Sequence, residues 1–355
     1  MKKIFLITFL AILLVSCTKK DTGFKTYFNN STPANPNFDI EIVESFELNN
    51  EGSEQILNFP ADVTEDKDRN IFILSVRNKK VIKYDKEGKY IIEFGGLGDG
   101  PGELQQPASI VCLEDTIYVA DFTTKKINLY NVEGEFIRAN NSSQFSRSNS
   151  LTGKQDMFVS QNLEYIDDKD GFRVKSNLTL LNKKFNEVAT ISNLNETGNP
   201  FIVNTRIHYA LTSKFLYVAE KSKDFYRVNM FDHRGSKIGI ISKNYSRIPF
   251  EDKENRFVKS INSKHKEAIS NLFVDYKDNL WVDKTQRDSL VDGENILKFK
   301  VDVFSEGVFQ NSVNLGLEYD PFNLFILNKV IKDKIYTMHT TDNKVIVSRY
   351  VIKEN

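Results

Sequence analysis

The sequence predicts an all-β chain folded as a six-bladed β-propeller, with four-stranded antiparallel blades and the last blade closed by an N-terminal strand. Three observations carry this. Short β-rich runs separated by Asp, Asn, Gly and Lys turns recur about every fifty residues. Long segments of helical period are absent, and no linker interrupts the repeat.

Residues 1–16 come first and are an address. Lys2 and Lys3 precede an apolar run, Ile4–Val15, broken only by Thr8. A membrane-spanning helix needs about 20 apolar residues, so the run reads as a signal-peptide core. It ends in Leu14-Val15-Ser16-Cys17, which looks like a bacterial lipobox. That resemblance implies cleavage before Cys17, a diacylated thioether on its sulfur and acylation of its amino group. Several acyl chains, at about 0.8 kcal/mol per buried CH₂, hold a protein stably on a membrane. Thr18–Asp21 has no Asp directly after the cysteine, which by the same likeness favours the outer membrane. Residues 17–37, polar and rich in Asn, read as a lipidated cysteine and flexible tether, leaving 38–355 as the propeller.

Phe38–Leu48 alternates apolar and polar residues and supplies the strand that the last blade lacks. The first full unit runs from Pro60 to Phe94 and the second from Pro107 to Ile137, matching element for element. The final hairpin turn of each unit is the ruler: Asp85–Gly88, Asn131–Gly134, Asn182–Asn186, Asp232–Gly235 and Ser305–Gly307. Their starts lie 46, 51, 50 and 73 residues apart. The long gap holds a charged insertion, Ser246–Lys266, with Phe257, Val258 and Ile261 at the spacing of a short helix or lid. Gln286–Gly293 is a second, smaller insertion. Phe322–Leu327, Lys334–Met338 and Lys344–Tyr350 then end the chain one strand short of a full unit.

Phe94-Gly-Gly-Leu-Gly-Asp-Gly-Pro-Gly-Glu-Leu-Gln-Gln-Pro107 resembles the Gly-rich junction of NHL-type propeller repeats, and Thr116–Asp121 with Lys126–Tyr130 resembles their core. With the lipobox, the chain is similar to TolB-like six-bladed propeller lipoproteins, a likeness that is architectural and implies no chemistry. A phosphate-cradling loop must open a helix, and this glycine run opens a strand.

Composition narrows function by exclusion. The chain has 48 basic and 48 acidic residues, and loss of Lys2 and Lys3 leaves 46 against 48. A near-neutral exported chain lacks the basic patch that nucleic acid requires. Two cysteines cannot build a disulfide scaffold, and Cys112, in an apolar strand, reads as a small buried hydrophobe. Only His208, His233, His265 and His339 exist; His233 and His265 are expected in exposed segments, too few for a three-His zinc centre. No G-x-S-x-G elbow is present. Trp281 reads as core.

Propeller ligands sit in a funnel lined by the loops after each second strand. Those loops contribute Arg77, Asp121, Glu220, Asp283 and His339, a mixed ring suited to a sugar or peptide. Asp121, Glu220 and Asp283 are the carboxylates that would have to converge to hold Ca²⁺, and no other cofactor is indicated. No catalytic residue stands out. The expectation is therefore a monomeric, lipid-anchored envelope scaffold that binds a protein, peptide or glycan. The alternative is a hydrolase or lyase acting on a carbohydrate or lactone in the funnel, with or without Ca²⁺.

Overall fold

The computed structural model describes residues 24–42, 60–140, 148–169, 171–197, 206–250, 264–288, 296–318, 329–340 and 345–354. Among them all regular structure is β. Two strands, β1 (Lys25–Asn29) and β2 (Ile40–Ile42), precede the blades. Blade 1 is β3 (Pro60–Glu65), β4 (Ile71–Ser75), β5 (Lys80–Tyr84) and β6 (Tyr90–Gly95). Blade 2 is β7 (Pro107–Leu113), β8 (Thr116–Asp121), β9 (Lys126–Asn131) and β10 (Phe136–Asn140). Blade 3 is β11 (Ser148–Lys154), β12 (Met157–Asp168), β13 (Gly171–Asn182) and β14 (Glu187–Thr197). Blade 4 is β15 (Tyr209–Leu211), β16 (Leu216–Ala219), β17 (Tyr226–Phe231) and β18 (Lys237–Lys243). Blade 5 is β19 (Asn271–Val274), β20 (Leu280–Asp288), β21 (Ile296–Ser305) and β22 (Val308–Glu318). Blade 6 is β23 (Lys329–Ile331), β24 (Lys334–Thr340) and β25 (Val345–Glu354). Beside β25 lies β2, antiparallel, with Ile40 opposite Glu354 and Ile42 opposite Ile352.

The first strand of each blade is innermost. β3, β7, β11, β15, β19 and β23 each contact the next, and β23 contacts β3, so the six inner strands form a ring around one axis. Alternation of strand direction puts the first and third turns of every blade on one face, here the turn face. The second turns and the blade-to-blade connections share the other, the loop face.

Turn chemistry fixes the blades. The Asp85 carboxylate accepts the N–H groups of Glu87 and Lys89, Asn182 those of Lys184 and Asn186, and Asp232 those of Arg234 and Ser236. Such Asx turns bind their own backbone two and four residues on. The turn then needs a left-handed residue, supplied by Gly88, Gly134, Gly235 and Gly307 at φ +81° to +90°. In blade 3 the position is Phe185, at φ +61°. Its ring is buried against Tyr118 and Phe158, the packing that offsets the backbone cost.

Apolar clusters fill the spaces between blades. Phe72, Leu74, Leu104, Ile110, Ile117 and Tyr130 join blades 1 and 2. The glycine junction returns the chain from the rim of blade 1 to the centre of blade 2, pushes Leu104 into that core and leads directly into strand β7. Trp281 is fully buried, and its indole N–H donates to Asp275 at 3.1 Å, a core role as its strand position suggested.

The segment expected to be a flexible tether is different over residues 24–38. β1 runs parallel to β18 at the outer edge of blade 4, with Lys25 opposite Gly239 and Asn29 opposite Lys243. The Asn29 amide donates to the Gly307 carbonyl at 3.1 Å and its oxygen accepts the Phe309 N–H at 2.9 Å. Ala34 and Asn35 N–H groups reach the carbonyls of Phe309 and Gln310, and Phe38 is buried with Trp281 and Val303. Residues 24–38 thus strap blade 4 to blade 5. The tyrosine and phenylalanines of Phe24–Phe28 supply an edge strand that the surrounding Asn and Pro concealed.

Two further differences concern the loop face. The three outer strands of blades 3 and 5 are nine to twelve residues long where those of blade 4 are four to seven, so their second hairpins stand above their neighbour. Part of the smaller insertion, Gln286–Asp288, belongs to β20, with Arg287 opposite Phe299. The helix expected within 246–266 falls mostly on 251–263, outside the described residues; the flanks form a β-bridge between Pro249 and His265.

Candidate functional site

The ends of the six inner strands enclose a cavity of about 430 Å³ on the propeller axis. Much of its wall is apolar: Val111, Leu113, Leu211, Leu272, Val274 and Val330 line it from four blades. Its long axis grades in polarity. Toward the loop face, the Asp62 carboxylate accepts the Lys329 ammonium at 2.6 Å and the Ile110 N–H at 3.0 Å, tying blades 6, 1 and 2 together. The Tyr209 hydroxyl lies 3.0 Å from Ser150 Oγ and 3.2 Å from Thr152 Oγ1, tying blade 4 to blade 3. Burial raises the Tyr209 phenol, so it stays protonated. Toward the turn face, Lys154, Tyr276 and Lys332 stand at the rim. Lys154 pairs with Asp278 at 3.2 Å, and Lys332 donates to the Asp66 carbonyl at 3.0 Å.

Glu65 lines the same cavity with one carboxylate oxygen committed elsewhere and the other, Oε2, buried without a hydrogen-bond partner among the described residues. Its Oε1 accepts the Lys334 ammonium at 2.9 Å and the Tyr336 hydroxyl, all three residues buried. Burial first, and the Glu65 charge second, drive the Tyr336 phenol far above its ordinary range. Cys112 also reaches the cavity: it is half-buried, not the fully buried residue expected. Burial, and then the Asp66 charge, push its thiol up to about 12, so it is no nucleophile near neutral pH.

The expected funnel residues lie at the other end. Asp121 pairs with Pro107, the first residue of its inner strand, and Asp283 with Asn271, also a first residue. The cavity instead takes in the last residues, such as Leu113 and Val274. Arg77 is exposed in the turn between β4 and β5, and His339 sits in β24 opposite Ile346. None of the five lines the axial cavity.

Asp121, 1% exposed, is a clasp: its carboxylate accepts the N–H groups of Gln105, Gln106, Thr123 and Thr124 at 2.7–3.1 Å. Glu220 pairs with Arg227 at 3.2 Å and borders a separate cleft of about 220 Å³ between blades 3 and 4. His208 shares that cleft, and burial, then the Arg206 charge, bring its imidazole down to about 4. His233 and His265, expected to be exposed, are half-buried; His233 Nε2 lies 3.3 Å from the Thr212 carbonyl. Among the described residues no three His, Cys, Asp or Glu side chains are placed to hold a metal ion.

Sequence reasoning overlooked the Asp62–Lys329 pair and the Tyr209 hydroxyl group. The available signal was position: each begins or lies near the start of an inner strand. It also overlooked fully buried Asp302, held by Lys284 at 2.7 Å and Lys243 at 3.1 Å between blades 4 and 5. Lys243 lies 3.4 Å from the centroid of the Phe309 ring, and burial lowers its pKa.

Solved structures share the fold. A member of the DUF4221 family from Bacteroides vulgatus aligns with a TM-score of 0.57 at 11% identity, over 89% of this chain and 99% of its own. A Bacteroides fragilis protein described as exported aligns with a TM-score of 0.52 at 12% identity, over 93% of this chain and 100% of its own. No curated protein matches the sequence significantly. The DUF5128 family model, described as a 6-bladed beta-propeller, matches residues 57–277. Six four-stranded blades around one axis and a family match over most of the blades together place this chain in the DUF5128 family of six-bladed β-propellers.

Proposed function

We propose that this chain is a lipid-anchored protein of the bacterial cell envelope, on the outer membrane, that binds a ligand in the axial cavity without transforming it. The observation that carries the reading is how the polar groups around the axis are used. Asp62 and Asp121 are each spent on bonds between or within blades, and Glu65 commits one oxygen to Lys334 and Tyr336. The Cys112 thiol is held protonated. What remains facing the cavity is apolar wall, hydroxyl groups and the rim lysines Lys154 and Lys332, which is the lining of a binding pocket. Cys17 carries the anchor, residues 1–16 direct export, and the NHL-like junction is architectural. The exported description of the Bacteroides fragilis neighbour is in keeping with this compartment. The protein works as a monomer, needs no metal or cofactor, and meets a small molecule, a glycan or a peptide of an envelope partner.

Two experiments test this. Palmitate labelling of cells should mark the chain, and Cys17→Ser should abolish the label and release the protein from membranes. Thermal unfolding of the mature chain carrying Cys17→Ser should respond to a ligand from a panel of glycans, peptides and small molecules. A ligand at 100 times its Kd adds about 2.7 kcal/mol. A response that appears only with Ca²⁺, or product formed from a lactone or glycoside, would overturn the non-catalytic reading.

A further inference from the structure

The strap and the cavity share a face. β1 is parallel to β18, which leaves the turn Asp232–Gly235, so Lys25 lies toward the turn face. The cavity's rim residues Lys154, Tyr276 and Lys332 end inner strands and stand on that same face. Between Cys17 and Phe24 there are only seven residues, Cys17–Gly23, which span at most about 25 Å when extended. A chain anchored at Cys17 therefore holds Phe24, at the outer edge of blade 4, within about 25 Å of the bilayer.

We infer that the axial cavity takes an amphiphile presented from the membrane side, a molecule with an apolar chain and one polar head. This rests on the lipid-anchored binding reading above and names its ligand class. The cavity's apolar side chains, among them half-buried Leu113, Phe273 and Val274, suit a hydrocarbon segment. Polar contacts exist only toward its two ends. One holds the Tyr209 hydroxyl with Ser150 and Thr152, the other the lysines of the rim. A head group is satisfied at either end while its chain fills the space between. Exposed Phe24 and Tyr276, 42% and 51% accessible, lie toward the turn face, where a bilayer surface would meet them.

The test uses the mature chain with Cys17→Ser, in which Cys112 is the sole thiol and lines the cavity. Dansyl-undecanoate is the probe. Saturable emission enhancement is expected, and at pH 9, where a measurable fraction of the raised thiol ionises and alkylation by excess N-ethylmaleimide is slow but readable, probe at ten times its Kd should slow alkylation of Cys112 about tenfold. Val274→Trp, which fills the cavity, should weaken probe binding at least about tenfold. Cys112→Phe, read by emission alone, serves if the first variant does not fold. Absence of saturable binding, or an unchanged alkylation rate at saturation, overturns the inference. If a polar glycan or peptide protects Cys112 and the probe does not, the ligand class is wrong and the cavity remains a binding site. If nothing in the panel protects it, the cavity reading falls as well.

Discussion

The Asp121 carboxylate accepts the Gln105 N–H at 2.7 Å, sixteen residues back along the chain. This joins the end of the second strand of blade 2 to the junction that delivers the chain from blade 1. Three more N–H groups complete the set, so a residue with the position of a ligand-binding acid is a fastener. Asp121→Ala leaves four buried or half-buried donors to find other partners. Hydrogen bonds to charged groups contribute about 1.5–3 kcal/mol each in favourable cases, but they do not add independently. We expect Asp121→Ala to destabilise by about 3 kcal/mol, with Asp121→Asn intermediate, measured by urea unfolding. Cavity ligand affinity should change little.

The strap should contribute to stability through Phe38 and Asn29. Truncating a buried Phe costs about 3–5 kcal/mol, so Phe38→Ala is expected near the lower figure because it lies at the periphery. Asn29→Ala loses the bonds to Gly307 and Phe309 and should cost about 1–2 kcal/mol. Hydrogen exchange should quicken in β18 and β22 in both variants and stay unchanged in β3–β6. Uniform quickening across the ring would contradict a local strap.

Phe185 sets backbone strain against packing. Phe185→Gly relieves a left-handed residue, worth about 1–2 kcal/mol, and deletes a buried ring, worth about 3–5 kcal/mol. Packing wins, so the variant should be less stable by about 2 kcal/mol. A stabilised Phe185→Gly would show that strain dominates.

His208 makes the fold sensitive to mild acid. Its folded value, about 4, lies below the ordinary 6.5, because burial and the Arg206 charge disfavour the imidazolium. The unfolded chain takes up a proton at this site between those values and the folded chain does not. Stability contributed here is therefore full above pH 6.5 and lost as pH falls toward 4, by up to about 3 kcal/mol. Urea unfolding at several pH values should show that slope in the native chain and a flatter one in His208→Asn.

Blade number and turn positions were readable because Asx-Gly hairpins have strict local chemistry: Asp85, Asn131, Asn182 and Asp232 each bond their own turn. The strap was not readable, because β1 is specified by a long-range partner, β18, over two hundred residues away. Nor was the end of the axis at which the cavity lies. Repeat position assigns Asp121, Glu220 and Asp283 to the ends of second strands, but local sequence does not reveal that four backbone N–H groups occupy Asp121. The long hairpin of blade 3 was hidden because its extra residues continue the strand pattern, whereas in blade 5 the added length showed as the insertion Gln286–Gly293, part of which extends β20.

The most direct test of the cavity assignment is thermal unfolding of the mature Cys17→Ser chain with the probe dansyl-undecanoate, beside Val274→Trp and Glu220→Gln. The probe should raise Tm in the parent and in Glu220→Gln and have no effect in Val274→Trp. A rise that survives Val274→Trp and disappears in Glu220→Gln would put the ligand at the loop face and contradict the axial site.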